Sequence, residues 1–233
     1  MRVFSYIKNM KIALVGANGK LGKAVCEILQ INNQVFNIDI NGGDCHCIEE
    51  TPTLPDVIVD VSCAQQSVCS AALANALGLP IVIGCTGHDS EQLEKIKYVS
   101  NSIPVFLAYN MSVGMQIFKN IAEYVCQNFD GDVHIHEIHH RYKKDAPSGT
   151  ALELEKLLAG GHPTISYARG GNLVGTHEVD FFGENETITL THTALSRKCF
   201  AEGVAKASAW IVNQPNGLYN IKNLIKNNEF SLK

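Results

Sequence analysis

Eight cysteines are present in the 233-residue chain without one CxxC pair, no apolar run approaches the roughly 18 residues of a membrane-spanning helix, and positive charge is not in excess. The cysteine spacing excludes a zinc-ribbon frame. Several thiols lie inside apolar runs, where cysteine behaves as a small hydrophobe, and they read as reduced core residues. The close pair in "CHC", Cys45 and Cys47, lacks a second ligand pair at zinc-site spacing, so no metal is expected. A net charge of −4 excludes the extended basic face that nucleic acid requires. With 45% hydrophobic and 18% charged residues the chain is not disordered, and it is long enough for one large or two modest cores. "MRVFSYIKNMKIALVG" lacks the small-residue cleavage site of a secretory signal, so the chain reads as cytoplasmic, with Met10 an alternative start. No repeat or low-complexity segment is visible.

What the chain does have begins with "KIALVGANGKLGKAVCEILQ". An apolar, β-branched run from Ile12 to Val15 leads into glycines at 16, 19 and 22, then a helical pattern with Leu21, Val25, Ile28 and Leu29 on one face. Turn glycines let the backbone approach a pyrophosphate, and a helix N-terminus offers unpaired amides and a positive dipole end to an anion. A second strand, "QVFNID", ends at Asp39, placed to accept bonds from ribose hydroxyls. The spacing is GxxGxxG, which alone would also serve a plain βα turn; the strand, the helix and the acid about 20 residues on point together to a dinucleotide. No arginine follows Asp39 to meet a 2′-phosphate. Lys20 can partly substitute, so NADH is favoured with NADPH kept open.

Apolar strands then alternate with helices: strand 56–62, helix 64–78, strand 80–87, helix 89–100, strand 103–110. Such alternation predicts a parallel sheet covered on both faces, with ligands beyond the C-terminal strand ends. The loops Gly84-Cys85-Thr86 and Ala108-Tyr109-Asn110-Met111 fall there, as candidates for the nicotinamide end. After Asn110 comes one amphipathic stretch, Val113 to Phe129, with Met115, Ile117, Phe118, Ile121, Tyr124 and Val125 at helical spacing. "DVHIHEIHH", "TISYARGG", "THEVDFFG" and "ETITLTHTA" then read as strands, a helix spans roughly 197–212, and the tail "PNGLYNIKNLI" reads as a turn followed by an apolar helix. The fold class expected is α/β: a parallel-sheet domain over 1–110, completed by 213–233, and a smaller α+β domain with a mixed sheet over 111–212 for substrate binding and oligomerisation.

Positive charge concentrates in "EIHHRYKKDAPSGTA", Glu137 to Ala151. Asp145-Ala146-Pro147 favours extended backbone, and Ser148 or Thr150 can cap the helix that follows. Free amides at that helix start, beside His140, Arg141, Lys143 and Lys144, would suit a small substrate bearing carboxylates. His134 and His136, on one face of the preceding strand, read as structural or surface residues.

At this point the sequence resembles the dihydrodipicolinate (4-hydroxy-tetrahydrodipicolinate) reductase family of the diaminopimelate route to lysine, over nearly its whole length. "EIHHRYKKDAPSGTAL" is similar to the family's E-x-HHRxKxDAPSGTA signature, "GANGKLG" to its GxxGxxG turn, "IGCTG" to its G[TC]TG loop, "YNMSVG" to its N-[FM]-S-x-G stretch, and "LSRKCFAEGVAKASAWI" with "GLY" to its C-terminal segments. The resemblance implies a Rossmann-like cofactor domain with contacts from Gly16, Ala17, Asn18, Gly19, Lys20, Leu21, Asp39, Gly84, Cys85, Thr86, Ala108, Tyr109, Asn110 and Met111. It implies proton donation by His139 and Lys143, and substrate carboxylates held by His140, Ser148, Gly149 and Thr150. The reaction implied is hydride transfer from NADH or NADPH to C4 of an unsaturated dicarboxylate ring, in a homotetramer assembled through the second domain's sheet. Tyr142 stands where the family often has histidine, and the span from Asp39 to Asp56 is shorter than is usual. Rival readings are an aspartate or homoserine dehydrogenase, which would share the glycine turn but not HHRxKxDAPSGT, a nucleotide-sensing protein without turnover, and a metal protein using His134, His136, His139 and His140.

Overall fold

Strands in the first half are apolar on both faces because both faces are covered. The computed structural model describes residues 9–225; the first eight residues and 226–233, which include Met1 and the last part of the tail, lie outside the described residues. In chain order the elements are β1 (Lys11–Val15), α1 (Lys20–Leu29), β2 (Gln34–Ile38), β3 (Val57–Asp60), α2 (Ala64–Leu77), β4 (Ile81–Ile83), α3 (Ser90–Val99), β5 (Pro104–Leu107), α4 (Val113–Asn128), β6 (Asp132–His139), α5 (Gly149–Leu157), β7 (Thr164–Arg169), β8 (Gly175–Phe182), β9 (Thr187–Ala194), α6 (Lys198–Ile211) and β10 (Gly217–Tyr219). The chain divides into two compact units, 1–113 with 200–233, and 114–199.

In the first unit six parallel strands lie in the order β10-β5-β4-β3-β1-β2. Alternate residues of each strand feed two cores. Ile12, Leu14, Val57, Val59, Val82 and Phe106 meet Val25 and Leu29 of α1 and Ala201, Val204, Ala207 and Ile211 of α6. Ala13, Val15, Ile58, Ile81, Ile83 and Val105 meet Ala71 and Ala74 of α2 and Ile96 and Val99 of α3. Each fully buried Ile or Leu contributes about 1.5–3 kcal/mol relative to exposure, so the sheet is held as one slab.

Two expectations change here. The helix α6, expected in the second domain, buries its apolar face in the first unit's core, which moves the return crossing from 212 back to 200. The tail forms no apolar helix at its start: Gly217–Tyr219 adds a parallel edge strand beside β5, and a 3-10 turn over Ile221–Leu224 tucks Ile221 into the core. Three residues carry too little periodicity to declare a strand, and the pairing is a tertiary choice.

The second unit holds a four-stranded mixed sheet, β7-β6-β8-β9. β7 pairs parallel to β6 after the α5 crossover, while β8 and β9 add antiparallel. Val133, Ile135, Val179 and Phe181 pack on Met115, Phe118 and Ala122 of α4 and on Ala151 and Leu154 of α5. The stripe of α4 that turns inward runs 115, 118, 122, so Ile117 and Tyr124 remain exposed, at 44% and 42%.

Candidate active site

In the first unit the switch in strand order falls between β1 and β3, and the glycine turn sits there. Gly16 has φ +82°, and a Cβ on it would lie 2.8 Å from the Cα of Ser62; a Cβ on Gly22 would lie 2.0 Å from the Gly16 carbonyl oxygen. Both positions therefore need glycine. Gly19 is the N-cap of α1, with no side-chain cap and no acid in the first turn, which leaves the helix start suited to an anion. A cavity of about 510 Å³ opens at this edge, lined by Gly16, Ile38, Asp39 and Ser62, with His46, Cys47 and Ile48 of the short segment after β2 among its other walls.

Asp39 is half-buried, and both its oxygens accept backbone amides, Oδ2 from Asn18 at 3.0 Å and Oδ1 from Asn41 at 2.9 Å. An ionised carboxylate has about four acceptor sites, so capacity for ribose hydroxyls remains. Lys20 is exposed at the first turn of α1, Asn18 is exposed, Ala17 is buried and Leu21 packs on the core.

The loops after β4 and β5 follow the same strand ends. Gly84 is close-packed, with a Cβ position 3.2 Å from Val61. Thr86 and Tyr109 are exposed, and Tyr109 stacks on His88 with ring centroids 5.9 Å apart. Asn110 Oδ1 accepts the Ser112 amide at 2.9 Å. Ala108, Cys85 and Met111 are buried; burial pushes the Cys85 thiol far up, next to Asp60, and Met111 belongs to the core. The side chains of Cys85 and Met111 are thus packed within the first unit.

Asp60 was not singled out by the sequence reading. It is fully buried, and accepts from the Ser62 amide (2.9 Å), Ser62 Oγ (2.6 Å), Ser70 Oγ (2.6 Å) and Cys85 Sγ (3.3 Å). It fixes Ser62 against Gly16 and ties the β4 loop to the β3 turn. An acid closing the apolar run "DVIVD" was the available signal.

The second unit gathers the cationic segment at the end of β6. Alternation turns Val133, Ile135, Glu137 and His139 toward the core and His134, His136 and Ile138 the other way. His134 bonds Thr164 and Ser166, each at 2.9 Å, and His136 bonds Ser166 at 2.7 Å, so these two are held by β7 on the face opposite His139. Among the described residues no cluster of three or more His, Cys, Asp or Glu converges as a metal site.

Glu137, fully buried, is the hub. Arg169 donates to it twice, Nη1 to Oε2 at 2.9 Å and Nη2 to Oε1 at 2.7 Å; the Ser148 amide donates to Oε1 at 3.0 Å, and His139 Nδ1 contacts Oε2. Burial alone would raise this carboxyl, but the bonds from Arg169, His139 and Ser148 hold it below its ordinary range. Burial lowers His139 and outweighs the upward pull of Glu137. At neutral pH the ring is therefore uncharged, with its proton on Nδ1 facing an ionised carboxylate. On the other side of the ring, a Cβ on Gly175 would lie 2.6 Å from Nε2.

Lys143 Nζ bonds both oxygens of Asp145, each at 2.8 Å, with its side chain 22% exposed. Asp145, although partly desolvated, is held below the usual carboxylate range by that ammonium. Arg141 and Lys144 are exposed. His140 Nδ1 is buried with no hydrogen-bond partner among the described residues. Ser148 caps α5, its Oγ accepting the Ala151 amide at 3.2 Å and meeting His177 Nε2 at 3.2 Å, and it is 2% exposed. Gly149 is exposed and Thr150 half-buried on the first turn of α5. Glu137 and Arg169 were not singled out by sequence reading either. A glutamate on the apolar phase of a strand, as in "VHIHEIH", demands a buried cation partner and would have prompted the search.

A parallel sheet with a glycine turn at its switch point, and a second unit carrying its own mixed sheet and a charged segment at a helix start, define the class of two-domain pyridine-nucleotide oxidoreductases. Residues 10–111 match the family model for the N-terminus of dihydrodipicolinate reductase, and residues 111–225 match that for its C-terminus. The chain belongs to the dihydrodipicolinate reductase family. Curated relatives named 4-hydroxy-tetrahydrodipicolinate reductase include those of Rickettsia bellii, 34% identical over 94% of this chain and 95% of that one, and of Campylobacter jejuni subsp. doylei, 35% identical over 94% and 97%. Among solved structures, a dipicolinate-bound dihydrodipicolinate reductase from a Paenisporosarcina species superposes with a TM-score of 0.75 at 23% identity, covering 93% of this chain and all of that one. An aspartate dehydrogenase from Thermotoga maritima shares the fold at a TM-score of 0.50 and 11% identity, covering 85% of this chain and 95% of its own.

Proposed function

We propose that the chain catalyses the NAD(P)H-dependent reduction of 4-hydroxy-tetrahydrodipicolinate to tetrahydrodipicolinate, in the route to diaminopimelate and lysine. The observation that carries this reading is the HHRxKxDAPSGT segment placed at the start of α5, with Lys143 held by Asp145, in a chain whose other unit has a dinucleotide turn. The residues present fit the cofactor: a positive-φ glycine packed against Ser62, an uncapped helix start and a 510 Å³ cavity with Asp39 on its wall. Loss of the 4-hydroxyl as water leaves the unsaturated ring, and the reduced nicotinamide, when bound, would supply a hydride to its C4.

Gly16 and the first turn of α1 hold the pyrophosphate, and Asp39 accepts the ribose hydroxyls. The same carboxylate disfavours a 2′-phosphate, which supports NADH as the preferred donor. The substrate's carboxylates lie against Gly149 and Thr150 at the start of α5 and against His140. Lys143 Nζ delivers the proton to the carbon next to C4, and its positive charge stabilises the charge that builds there. His139, uncharged and enclosed, is a poorer acid than Lys143; it shapes the wall, and the proton-donor role shared between them in the sequence reading goes to Lys143. A substrate carboxylate competes with Asp145 for the ammonium.

A homotetramer joined through the second unit's sheet agrees with the exposed threonines of β9, Thr187, Thr189, Thr191 and Thr193, which offer polar surface to other copies. A cytoplasmic setting agrees with eight free cysteines. No helix among the described residues is long and apolar enough to cross a membrane. The test is a coupled assay in which the unstable substrate is generated in place and oxidation of NADH and NADPH is followed separately. Turnover with both, faster with NADH, is expected; no turnover with either removes the reading.

A further inference from the structure

We infer that Glu137 and Arg169 are positioning residues for this reaction: the buried carboxylate, oriented by the guanidinium fork, fixes His139 with its proton on Nδ1 and anchors both ends of the loop that carries Lys143. The inference rests on the function proposed above and deepens it. Glu137 uses both oxygens, one toward His139 at the end of β6 and one toward the Ser148 amide at the start of α5, so residues 139 and 148 are tied to one buried group. The eight residues between them include Lys143 and Asp145.

Arg169 adds a third tie. Its Nη2 donates to the backbone carbonyl of Asp145 at 2.7 Å as well as to Glu137, and the neighbouring backbone locks in place through Gly170 N to His139 O (2.9 Å) and His140 N to Leu173 O (2.8 Å). One ion pair thus sets the height of Asp145, and Asp145 in turn holds Lys143 through two bonds of 2.8 Å. The guanidinium is tied up with Glu137 and does not offer its full charge to a substrate; its face also lies 5.3 Å from the Tyr167 ring centroid. A plain structural pair would need only two partners. This one reaches the ring beside the donor, the helix start that takes the carboxylates, and the carbonyl of the donor's own counterion.

Two measurements separate positioning from mere stability. Nitrogen-15 NMR of histidine-labelled chain should show His139 protonated on Nδ1 with Nε2 bare at neutral pH, a readout that needs neither turnover nor a variant. Steady-state kinetics of Glu137→Gln, which keeps the shape and loses the charge, should show kcat lowered about 10- to 100-fold, with the dissociation constant for NADH, titrated by fluorescence, within about twofold of the parent. Arg169→Lys should fall between the two, since an ammonium cannot reproduce the fork. A proton found on Nε2 of His139 in the parent, or a Glu137→Gln enzyme with unchanged kcat, overturns the inference. If Glu137→Gln does not fold, the parent's tautomer and Arg169→Lys still decide. If the parent itself shows no reductase activity, the proposed function fails on its own, and the tautomer alone decides whether the pair holds His139.

Discussion

The glycine turn of the first unit and the cationic segment of the second present groups suited to anions by different means. At Gly16–Leu21 the groups on offer are backbone amides, where two glycines bring the chain to a place that no side chain fits, and the supporting acid, Asp39, lies about 20 residues away at the end of the next strand. At His139–Thr150 they are side chains as well as amides, aimed by a buried ion pair whose members are 32 positions apart. The first design is local and tolerant of side-chain change outside its glycines. The second is built on a desolvated charge, so removing one partner leaves an uncompensated carboxylate or guanidinium, at a cost of about 3–5 kcal/mol where burial is complete.

The largest contrast is expected between variants at the two sites. Lys143→Ala should lower kcat by about 10²–10⁴-fold while NADH binding persists; parallel loss of both would show the residue to be only structural. Gly16→Ala should do the reverse, raising the dissociation constant for NADH at least about tenfold. Its Cβ meets the Ser62 backbone, and φ +82° is strained for alanine, together costing about 1–3 kcal/mol. Isothermal titration with NADH on both variants reads this directly.

A difference in acid sensitivity should follow. His177, buried beside Ser148 and His139, is pushed by burial from 6.5 to about 3. The unfolded chain takes up this proton first, so the second unit loses stability as pH falls from about 6.5 toward 3, by on the order of 4 kcal/mol from this group. His139 and His192 are lowered by burial too, and add to the slope. His177→Gln should flatten it, as measured by denaturant midpoints at pH 7 and pH 4.5; an unchanged slope would remove His177 as a cause. The smallest effect sharpens the first site alone. Asp39→Ala should raise KM for NADH several-fold, about tenfold at most, and narrow the gap to NADPH, because it removes hydroxyl acceptors and a charge facing the 2′ position.

How much of this was legible in the sequence follows the same division. The parallel sheet, its helices and the glycine turn were readable because each is declared within about 30 residues by periodicity and turn chemistry. The signature segment was readable as a charge cluster before a capped helix, and Ser148 is indeed the cap. Its supports were not, since pairing Glu137 with Arg169 and Ser148 is decided by β6–β7 register and by the α5 crossover. The same holds for α6 and β10, whose short apolar patterns do not say which core they join. Asp60 and Glu137 share one overlooked mark, an acid on the buried phase of an apolar strand, and both turn out to hold a loop of the candidate site.

Isotope transfer tests the central reading most directly. With NADH deuterated at the transferable position of nicotinamide C4 and substrate generated in place, the tetrahydrodipicolinate formed should carry one deuterium per molecule at ring C4 and a solvent-derived hydrogen on the adjacent carbon, by mass spectrometry and NMR. Product formed without the label, or oxidation of NADH with no labelled ring, would contradict it.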